Sequence, residues 1–120
     1  MSRPKRGEIY LVDFSPSIGK EMRKVHPALV IQNDIGNRAS ALTIVAAITS
    51  TRKVAQLPVG VLIEPEESGV DHTSVVHLGH IYTVDQLRLR TCIGKLSDER
   101  MAEVDHAVSI SLGLRAFRMP

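Results

Sequence analysis

The sequence of 120 residues contains few aromatic side chains and little cysteine: no tryptophan, two tyrosines, two phenylalanines and one cysteine. A surface that binds nucleic acid by stacking many bases on aromatic rings is therefore not expected. Binding of nucleic acid would have to depend more on contacts to phosphates and base edges. The single Cys92 excludes a disulfide framework within the chain. Its apolar-leaning surroundings predict a packing role.

Long apolar runs are also absent. No window approaches the roughly 18 consecutive apolar residues that a membrane span needs, and the N-terminal MSRPKRGE lacks the apolar segment of a signal peptide. We therefore expect a cytoplasmic protein without a membrane contact. The length predicts a single domain over residues 1–120, and the hydrophobic fraction of 43% is ordinary for a globular protein.

The net charge of the chain is +2, but positive and negative residues are distributed unevenly along it. Residues 1–53 contain nine Lys or Arg against four Asp or Glu, whereas residues 54–120 contain six against nine. A basic half of this kind suits a polyanionic partner.

Strand-like patterns dominate the first three quarters of the sequence. Apolar runs bounded by glycine, proline and asparagine predict strands at 8–14, 28–32, 42–49, 59–63, within 74–84 and at 91–94. The run at 42–49 is nearly all apolar, as a central strand buried on both faces should be. A long polar loop at 15–25, a turn-rich connection at 33–40 and a short helical turn at 85–87 are expected between strands.

One helix is predicted near the C-terminus, with Ser97 as its N-cap and Gly113 as its stop. Strands first and a helix last indicate a small curled sheet or barrel closed by a C-terminal helix. The apolar face of the helix is formed by residues at helical spacing: Met101, Val104, Ala107, Val108 and Leu112.

Five blocks resemble the MazF/PemK family of toxin endoribonucleases: RGEIYLVDFSPSIGKE, HPALVIQNDIGN, VAAITS, SVVHLGHIYTVDQLRL and KLSDERMAEVDHAVSISLGL. The resemblance covers nearly the whole chain, from Arg6 to Leu114. It implies a mainly β fold with α, an SH3-like small barrel with a C-terminal helix, and a homodimer. It also implies sequence-selective cleavage of single-stranded RNA or mRNA without a metal or cofactor, and a cognate MazE-like antitoxin whose acidic disordered tail covers the RNA groove.

Cleavage of this type uses the ribose 2′-OH as an internal nucleophile and leaves a 2′,3′-cyclic phosphate and a 5′-OH. The protein has to take a proton from the 2′-OH, give one to the leaving oxygen and stabilise charge on the phosphate. Thr49 matches the family's catalytic threonine, and the resemblance implies that its hydroxyl holds a phosphate oxygen.

His26 stands where the family usually has arginine, directly before the proline that opens the second strand. Histidine lacks the permanent charge of arginine and cannot form the two parallel hydrogen bonds by which a guanidinium group binds phosphate. It titrates near neutral pH, however, and therefore suits general acid or base catalysis. His26 and Thr49 are the candidate catalytic residues.

Further RNA contacts are expected from the basic loops and from the strand ends that the family uses. Tyr10 and Phe14 share a face of the first strand and are expected in the core rather than as a base platform. Asn33 and Asp34 are expected to shape the turn after the second strand. The candidate RNA-binding residues are Gly19, Lys20, Glu21, Arg23, Lys24, Ser50, Arg52, Lys53, Ser74 and His80.

A metal site is not expected among the histidines. His77 and His80 are three residues apart on a predicted strand and so project to opposite faces. His72 lies in a separate acidic turn. The histidine at 80 departs from the Glu-Gln-Ile-Arg-Thr-like segment that the family usually has here, but it can bond to or stack on a base.

Two other functions remain open. A non-catalytic module could bind RNA or the antitoxin on the same scaffold, because His26 replaces the family arginine. A gyrase-poisoning toxin is a further alternative, since one fold can host different functions. The close match of the QNDIGN and VAAITS blocks favours the nuclease over the gyrase poison.

Overall fold

The computed structural model describes residues 3–15 and 25–116. In these residues the elements follow in the order β1 (Glu8–Asp13), β2 (Val25–Val30), α1 (Asp34–Ala39), β3 (Leu42–Thr49), a short 3-10 helix (Arg52–Gln56), β4 (Gly60–Ile63), α2 (Pro65–Ser68), β5 (Ser74–Asp85), a second 3-10 helix (Gln86–Arg88), β6 (Leu89–Lys95) and α3 (Asp98–Ser111). The polar loop predicted at 15–25 lies mostly outside the described residues.

The six strands pair antiparallel in one sheet with the order β4-β5-β3-β2-β1-β6. β3 lies between β2 and β5, as its apolar sequence predicts for a strand covered on both faces. The sheet curls without closing, and β4 and β6 are its edges in the described part of the chain. The predicted mainly β small barrel with a C-terminal helix is confirmed.

Close backbone contact brings the two edges of the curled sheet together. Gly69, in the left-handed region at φ +81°, ends α2 after β4, and Gly94 lies in β6. A Cβ on Gly94 would overlap the carbonyl oxygen of Ser68, and a Cβ on Gly69 would overlap that of Ile93. Both positions therefore need glycine, because any side chain would push α2 away from β6.

The main core lies between one face of the sheet and α3. Buried Ile9, Leu29 and Ala46 come from three adjacent strands. A smaller cluster on the opposite face joins Val12, Ala28, Val30 and Val45, with Tyr10, Phe14, Val84 and Leu89 packed around it. The two clusters follow the alternation of side chains along each strand.

The helix α3 begins and ends where the sequence predicts. Ser97 Oγ accepts a hydrogen bond from the backbone N–H of Arg100 at 3.1 Å. Gly113 at φ +79° follows the helix, and the N–H of Leu114 returns to the carbonyl of Ser109 at 2.8 Å, which is a Schellman ending.

The predicted apolar face of α3 is wrong at one position. Leu112 is 57% exposed, because it follows the last helical residue, and Ile110 is buried in the core instead. The other buried residues of the helix are Met101, Val104 and Ala107, as predicted.

The segment predicted as a turn-rich connection at 33–40 contains the helix α1. Asn33 caps it by accepting the N–H of Gly36 at 2.8 Å, and Asp34 Oδ1 accepts the N–H of Arg6 at 2.7 Å. Both residues shape the chain after β2, as predicted. Asn37 is buried in a polar cluster in which Thr43 donates to its side-chain oxygen at 2.6 Å.

Two further expectations need correction. β2 begins at Val25, so that His26 and Pro27 belong to the strand rather than to the loop before it. Cys92 is exposed on the edge strand β6 and does not pack in the core. The helical turn expected at 85–87 is confirmed as the 3-10 helix that follows Asp85.

A buried carboxylate lies where β1 ends. Hydrogen bonds from Ser15, with a further contribution from Arg90, hold the pKa of Asp13 well below its usual range. Asp13 accepts the backbone N–H of Ser15 at 2.9 Å and an N–H of Arg90 at 3.0 Å. Arg88, from the second 3-10 helix, donates to the Ser15 carbonyl at 2.7 Å. These contacts tie the end of β1 to the start of β6.

No helix among the described residues is long and apolar enough to cross a membrane.

Replacing Gly94 with alanine is expected to destabilise the fold by about 1–3 kcal/mol, the usual cost of forcing extra atoms into a packed contact. Urea unfolding measures the change. Thr91→Ala, at an exposed position of the same strand, is the matched control and should stay within about 0.5 kcal/mol of the native protein. Equal stability of the two variants would contradict the proposed contact between α2 and β6.

Asp13→Asn is expected to lower the free energy of unfolding at neutral pH. A folded-state pKa below the unfolded value stabilises the fold above the unfolded pKa of roughly 3.9, and this contribution is lost as pH falls. The difference between native protein and variant should therefore shrink below about pH 4. Urea unfolding at a series of pH values measures it, with the exposed Glu66→Gln as control. A difference independent of pH would contradict the assignment.

Candidate functional site

His26 lies at the rim of the sheet on the strand β2, opposite Val12 of β1. Its side chain is exposed and projects from the same face as Ala28, two residues further on. Ala28 pairs with Ala47 of β3, and His26 and Thr49 each lie two residues beyond this pair on their strands. The two predicted catalytic residues therefore lie at the ends of neighbouring strands and on one face.

A polar groove of about 340 Å³ opens beside His26. Five polar residues line it together with apolar neighbours: His26, Ser50, Asp71, His72 and Ser74. The volume lies at the lower end of the range for small-molecule pockets, roughly 300–1,000 Å³. It can hold a nucleotide-sized group.

An aromatic groove of about 470 Å³ lies on the other side of His26. Its walls are Phe14, His26 and Tyr82, and Ala47 and Ile48 complete the lining. The rings of Phe14 and Tyr82 are in contact at 5.4 Å with a tilt of 58°. Phe14 was expected in the core; it is half-buried against the smaller cluster and also lines this groove. His26 belongs to both grooves and so forms the boundary between them.

Thr49 is half-buried at the end of β3. Its Oγ1 accepts the backbone N–H of Thr51 at 3.1 Å. A hydroxyl that accepts one hydrogen bond keeps its own proton for another acceptor. The neighbours of Thr49 in sequence, Ile48 and Ser50, both line the polar groove, although Thr49 is not among the lining residues.

Ser50 and Ser74, two predicted RNA contacts, are brought together in the polar groove. Ser50 is exposed, whereas Ser74 is buried and donates its hydroxyl proton to the carbonyl of His72 at 2.8 Å. Ser74 therefore holds the turn before β5 and lines the groove.

The predicted basic contacts lie apart from the grooves or outside the described residues. Arg52 and Lys53 are exposed on the short 3-10 helix that follows Ser50 and Thr51, and they are not among the residues that line either groove. The remaining predicted contacts fall in the segment that the structure does not describe: Gly19, Lys20, Glu21, Arg23 and Lys24.

His77 and His80 do not project to opposite faces as expected. The rings stack with centroids 3.8 Å apart and planes 12° from parallel. The cause is an irregularity in the pairing of β3 with β5: Ala46 pairs with Ile81 but the next residue, Ala47, pairs with His77. The three extra residues in β5 bring both histidines to the face above Ala47.

The histidine stack depends on glycine at position 79. The N–H of Gly79 donates to Nδ1 of His77 at 3.0 Å, and a Cβ at this position would lie 2.7 Å from the His77 ring. Burial lowers the pKa of His77, and the charge of the neighbouring His80 lowers it further. His80 is exposed and presents the outer side of the stack.

Asp71 and His72 are groove residues that the sequence did not indicate. They were assigned to a separate acidic turn, but the approach of α2 to β6 brings this turn to the groove beside His26. No local pattern could have shown this, because the curl of the sheet brings His26 and His72, 46 residues apart in the chain, to one groove. Among the described residues, no three His, Cys, Asp or Glu side chains gather where they could hold a metal ion.

The family described as PemK-like, MazF-like toxin of type II toxin-antitoxin system matches residues 5–112 of the chain. The chain belongs to this family. It is 49% identical over 113 residues to the endoribonuclease EndoA of Bacillus subtilis (strain 168), a match that covers 94% of this chain and 97% of that protein. The predicted family and enzyme class, an endoribonuclease toxin of a toxin–antitoxin system, are confirmed.

Solved structures of the family have the same fold. A mycobacterial endoribonuclease in complex with its cognate antitoxin superposes with a TM-score of 0.78 at 25% identity, over 93% of this chain and 97% of that one. A MazE-MazF complex from Deinococcus radiodurans gives 0.76 at 26% identity, over 96% and 100% of the two chains.

His80→Ala is expected to raise the pKa of His77 towards the ordinary histidine value without reaching it, because charge repulsion is removed but burial remains. NMR titration of the histidine ring protons measures the pKa. His106→Ala, which removes an exposed histidine from α3, should leave His77 unchanged. A His77 pKa that is the same in the native protein and in His80→Ala would contradict the stacked arrangement.

Proposed function

We propose that this toxin cleaves single-stranded RNA, including mRNA, at a selected short sequence and without a metal ion. The 2′-OH attacks the adjacent phosphorus, and the products are a 2′,3′-cyclic phosphate and a 5′-OH. The observation that supports this proposal most is the position of His26, which lies between two nucleotide-sized grooves and near Thr49.

In this proposal the scissile phosphate lies at His26, with one flanking nucleotide in each groove. The neutral His26 imidazole takes the proton of the 2′-OH as general base. The Thr49 hydroxyl donates a hydrogen bond to a phosphate oxygen as negative charge develops there. A positioned proton-transfer group of this type contributes about 10²–10⁴-fold to the rate.

The aromatic groove suits the base of one nucleotide. Phe14 and Tyr82 offer ring surfaces, and the exposed side of His80 lies above Ala47 on the same face. A base that stacks on aromatic side chains gains about 1–3 kcal/mol. Sequence selection then depends on which bases fit this groove and the polar one.

Phosphates further along the RNA would be bound by exposed cations. Arg52 and Lys53 follow the groove residue Ser50 in the chain. The Ser74 hydroxyl donates to the His72 carbonyl, so its oxygen would accept a hydrogen bond from a ribose hydroxyl or a base in the polar groove rather than bind a phosphate. The sequence just before β2 adds Lys20, Arg23 and Lys24, with Gly19 and Glu21 between or beside them. Binding of this kind should weaken with salt, because bound cations release counterions from the RNA.

We further propose that the chain is one domain, forms a homodimer, acts in the cytoplasm and is neutralised by a MazE-like antitoxin with an acidic disordered tail. The similarity to toxins solved with their antitoxins supports this. The basic N-terminal half of the sequence, with nine Lys or Arg against four Asp or Glu in residues 1–53, suits an acidic partner as well as RNA.

The assay is cleavage of a long single-stranded RNA by the purified protein in EDTA, from about pH 5 to about pH 9. Native protein should cut and leave cyclic phosphate ends. His26→Ala and Thr49→Ala should each lose about 10²-fold or more, whereas Thr49→Ser should keep much of the activity because its hydroxyl remains. His106→Ala on α3 is the control and should cut like the native protein.

The His26→Arg variant distinguishes an active nuclease from a protein of the same fold that has lost cleavage. If histidine is the base, the native rate falls as pH falls, because protonation removes the lone pair, and the arginine variant loses this dependence. No cleavage by the native protein, with activity appearing in His26→Arg, would instead mean that the chain binds RNA or antitoxin without cutting. Full activity of the His26→Ala, Thr49→Ala double variant would refute the site.

A further inference from the structure

We propose that His72 is a second catalytic residue, which gives its proton to the leaving 5′ oxygen. This inference rests on the proposed function and deepens it. The family resemblance gives no role to this position, and the sequence placed His72 in a turn unconnected with the site. The structure brings it into the groove that His26 also lines.

The reaction needs a proton donor as well as a base. When the P–O5′ bond breaks, an unassisted alkoxide would have to leave, which is unfavourable near neutral pH. The resemblance implies that an arginine stabilises charge and transfers protons in the family while the threonine holds a phosphate oxygen, but His26 stands at the arginine position here. If His26 takes the 2′-OH proton, a different group has to protonate O5′.

Few of the described residues that line the polar groove can do so. Among the described residues that line it, the ionisable ones are His26, Asp71 and His72. A carboxylate that is ionised near neutral pH has no proton to give, and the hydroxyls of Ser50 and Ser74 are very weak acids. Among these described residues the imidazolium form of His72 is the remaining donor, and histidine exchanges protons readily in this pH range.

The turn that contains His72 is held from both sides while its ring stays exposed. Ser74 Oγ donates to the His72 carbonyl at 2.8 Å, and Thr73 Oγ1 donates to a carboxylate oxygen of Glu64 at 2.5 Å. Gly69 at φ +81° sets the direction of the chain into this turn. The backbone is therefore fixed, and the ring can adjust to a substrate.

His26 and His72 approach the groove from different elements. His26 comes from β2, at the rim of the sheet, and His72 from the turn between α2 and β5. In the proposed step, the phosphate lies at His26 on the edge of this groove, with the His26 ring at the attacking oxygen and the His72 ring at the leaving oxygen. Displacement in line requires these two oxygens on opposite sides of the phosphorus.

Every proton and bond is accounted for in the resulting step. His26 takes the 2′-OH proton, the 2′ oxygen bonds to phosphorus, the P–O5′ bond breaks, and O5′ receives the proton of His72. The products are the cyclic phosphate and the 5′-OH, with His26 protonated and His72 neutral. A proton exchange with solvent restores both residues for the next turnover.

Charged and titratable groups lie around His72. Within the described lining these are Asp71, next to it in the chain, and His26 across the groove; Glu64 accepts the hydroxyl of the following residue, Thr73. A base and an acid together give a bell-shaped dependence of the rate on pH. The limb that falls as pH rises belongs to His72, because deprotonation removes the donor.

The test uses an RNA that contains the sequence cut by the native protein in the long-RNA assay, and compares the normal linkage at that position with one in which sulfur replaces the 5′ oxygen. A thiolate leaves without protonation, because thiols are much stronger acids than alcohols. His72→Ala should cleave the normal linkage about 10²-fold or more slowly than the native protein but cleave the sulfur linkage at a near-native rate. His26→Ala should be slow on both, since the 2′-OH proton still has to be removed.

Thermal unfolding of each variant and His106→Ala, on α3 away from both grooves, serve as controls. Native-like cleavage of the normal linkage by His72→Ala would overturn the inference while leaving the role of His26 intact. Equal slowing on both linkages by His72→Ala would also overturn it, because a purely structural role affects both. Failure of the native protein to cut the long single-stranded RNA at any position would refute the proposed function itself.

Discussion

The pairing of Ala28 in β2 with Ala47 in β3 fixes the position of each group in the candidate site. His26 lies two residues before Ala28, Thr49 lies two residues beyond Ala47, and His77 pairs with Ala47 from the other side. A slip of one residue would turn His26 to the other face of the sheet and would expose the buried valines that share its face. The core therefore enforces the register on which the proposed chemistry depends.

The same sheet brings distant parts of the chain to His26 because it curls. Gly69 and Gly94 allow the end of α2 to touch β6, and the turn with Asp71 and His72 then faces the rim of β2. Replacing the family arginine by histidine removes one permanent charge, and the curl offers a second titratable side chain near the same place. In the account proposed here, His26 takes up one proton and His72 gives up another, two transfers that histidine side chains perform near neutral pH.

Much of the fold follows from local sequence, whereas the site follows only in part. Apolar β3 and the capped helix α3 were predictable, because burial on both faces and an N-cap leave clear patterns. α1 was missed since six residues, DIGNRA, are too short to show helical periodicity. The irregular pairing that stacks His77 on His80 depends on β3 rather than on β5 alone, and the meeting of His26 with His72 depends on the whole sheet.

The most direct test of the account is a crystal structure of the protein with an RNA that cannot react because its 2′ oxygens are methylated. The account predicts a phosphate in contact with the His26 ring and the Thr49 hydroxyl, with one nucleotide in the aromatic groove and the next in the polar groove beside His72. RNA bound elsewhere on the protein, with both grooves free of nucleotide, would contradict it.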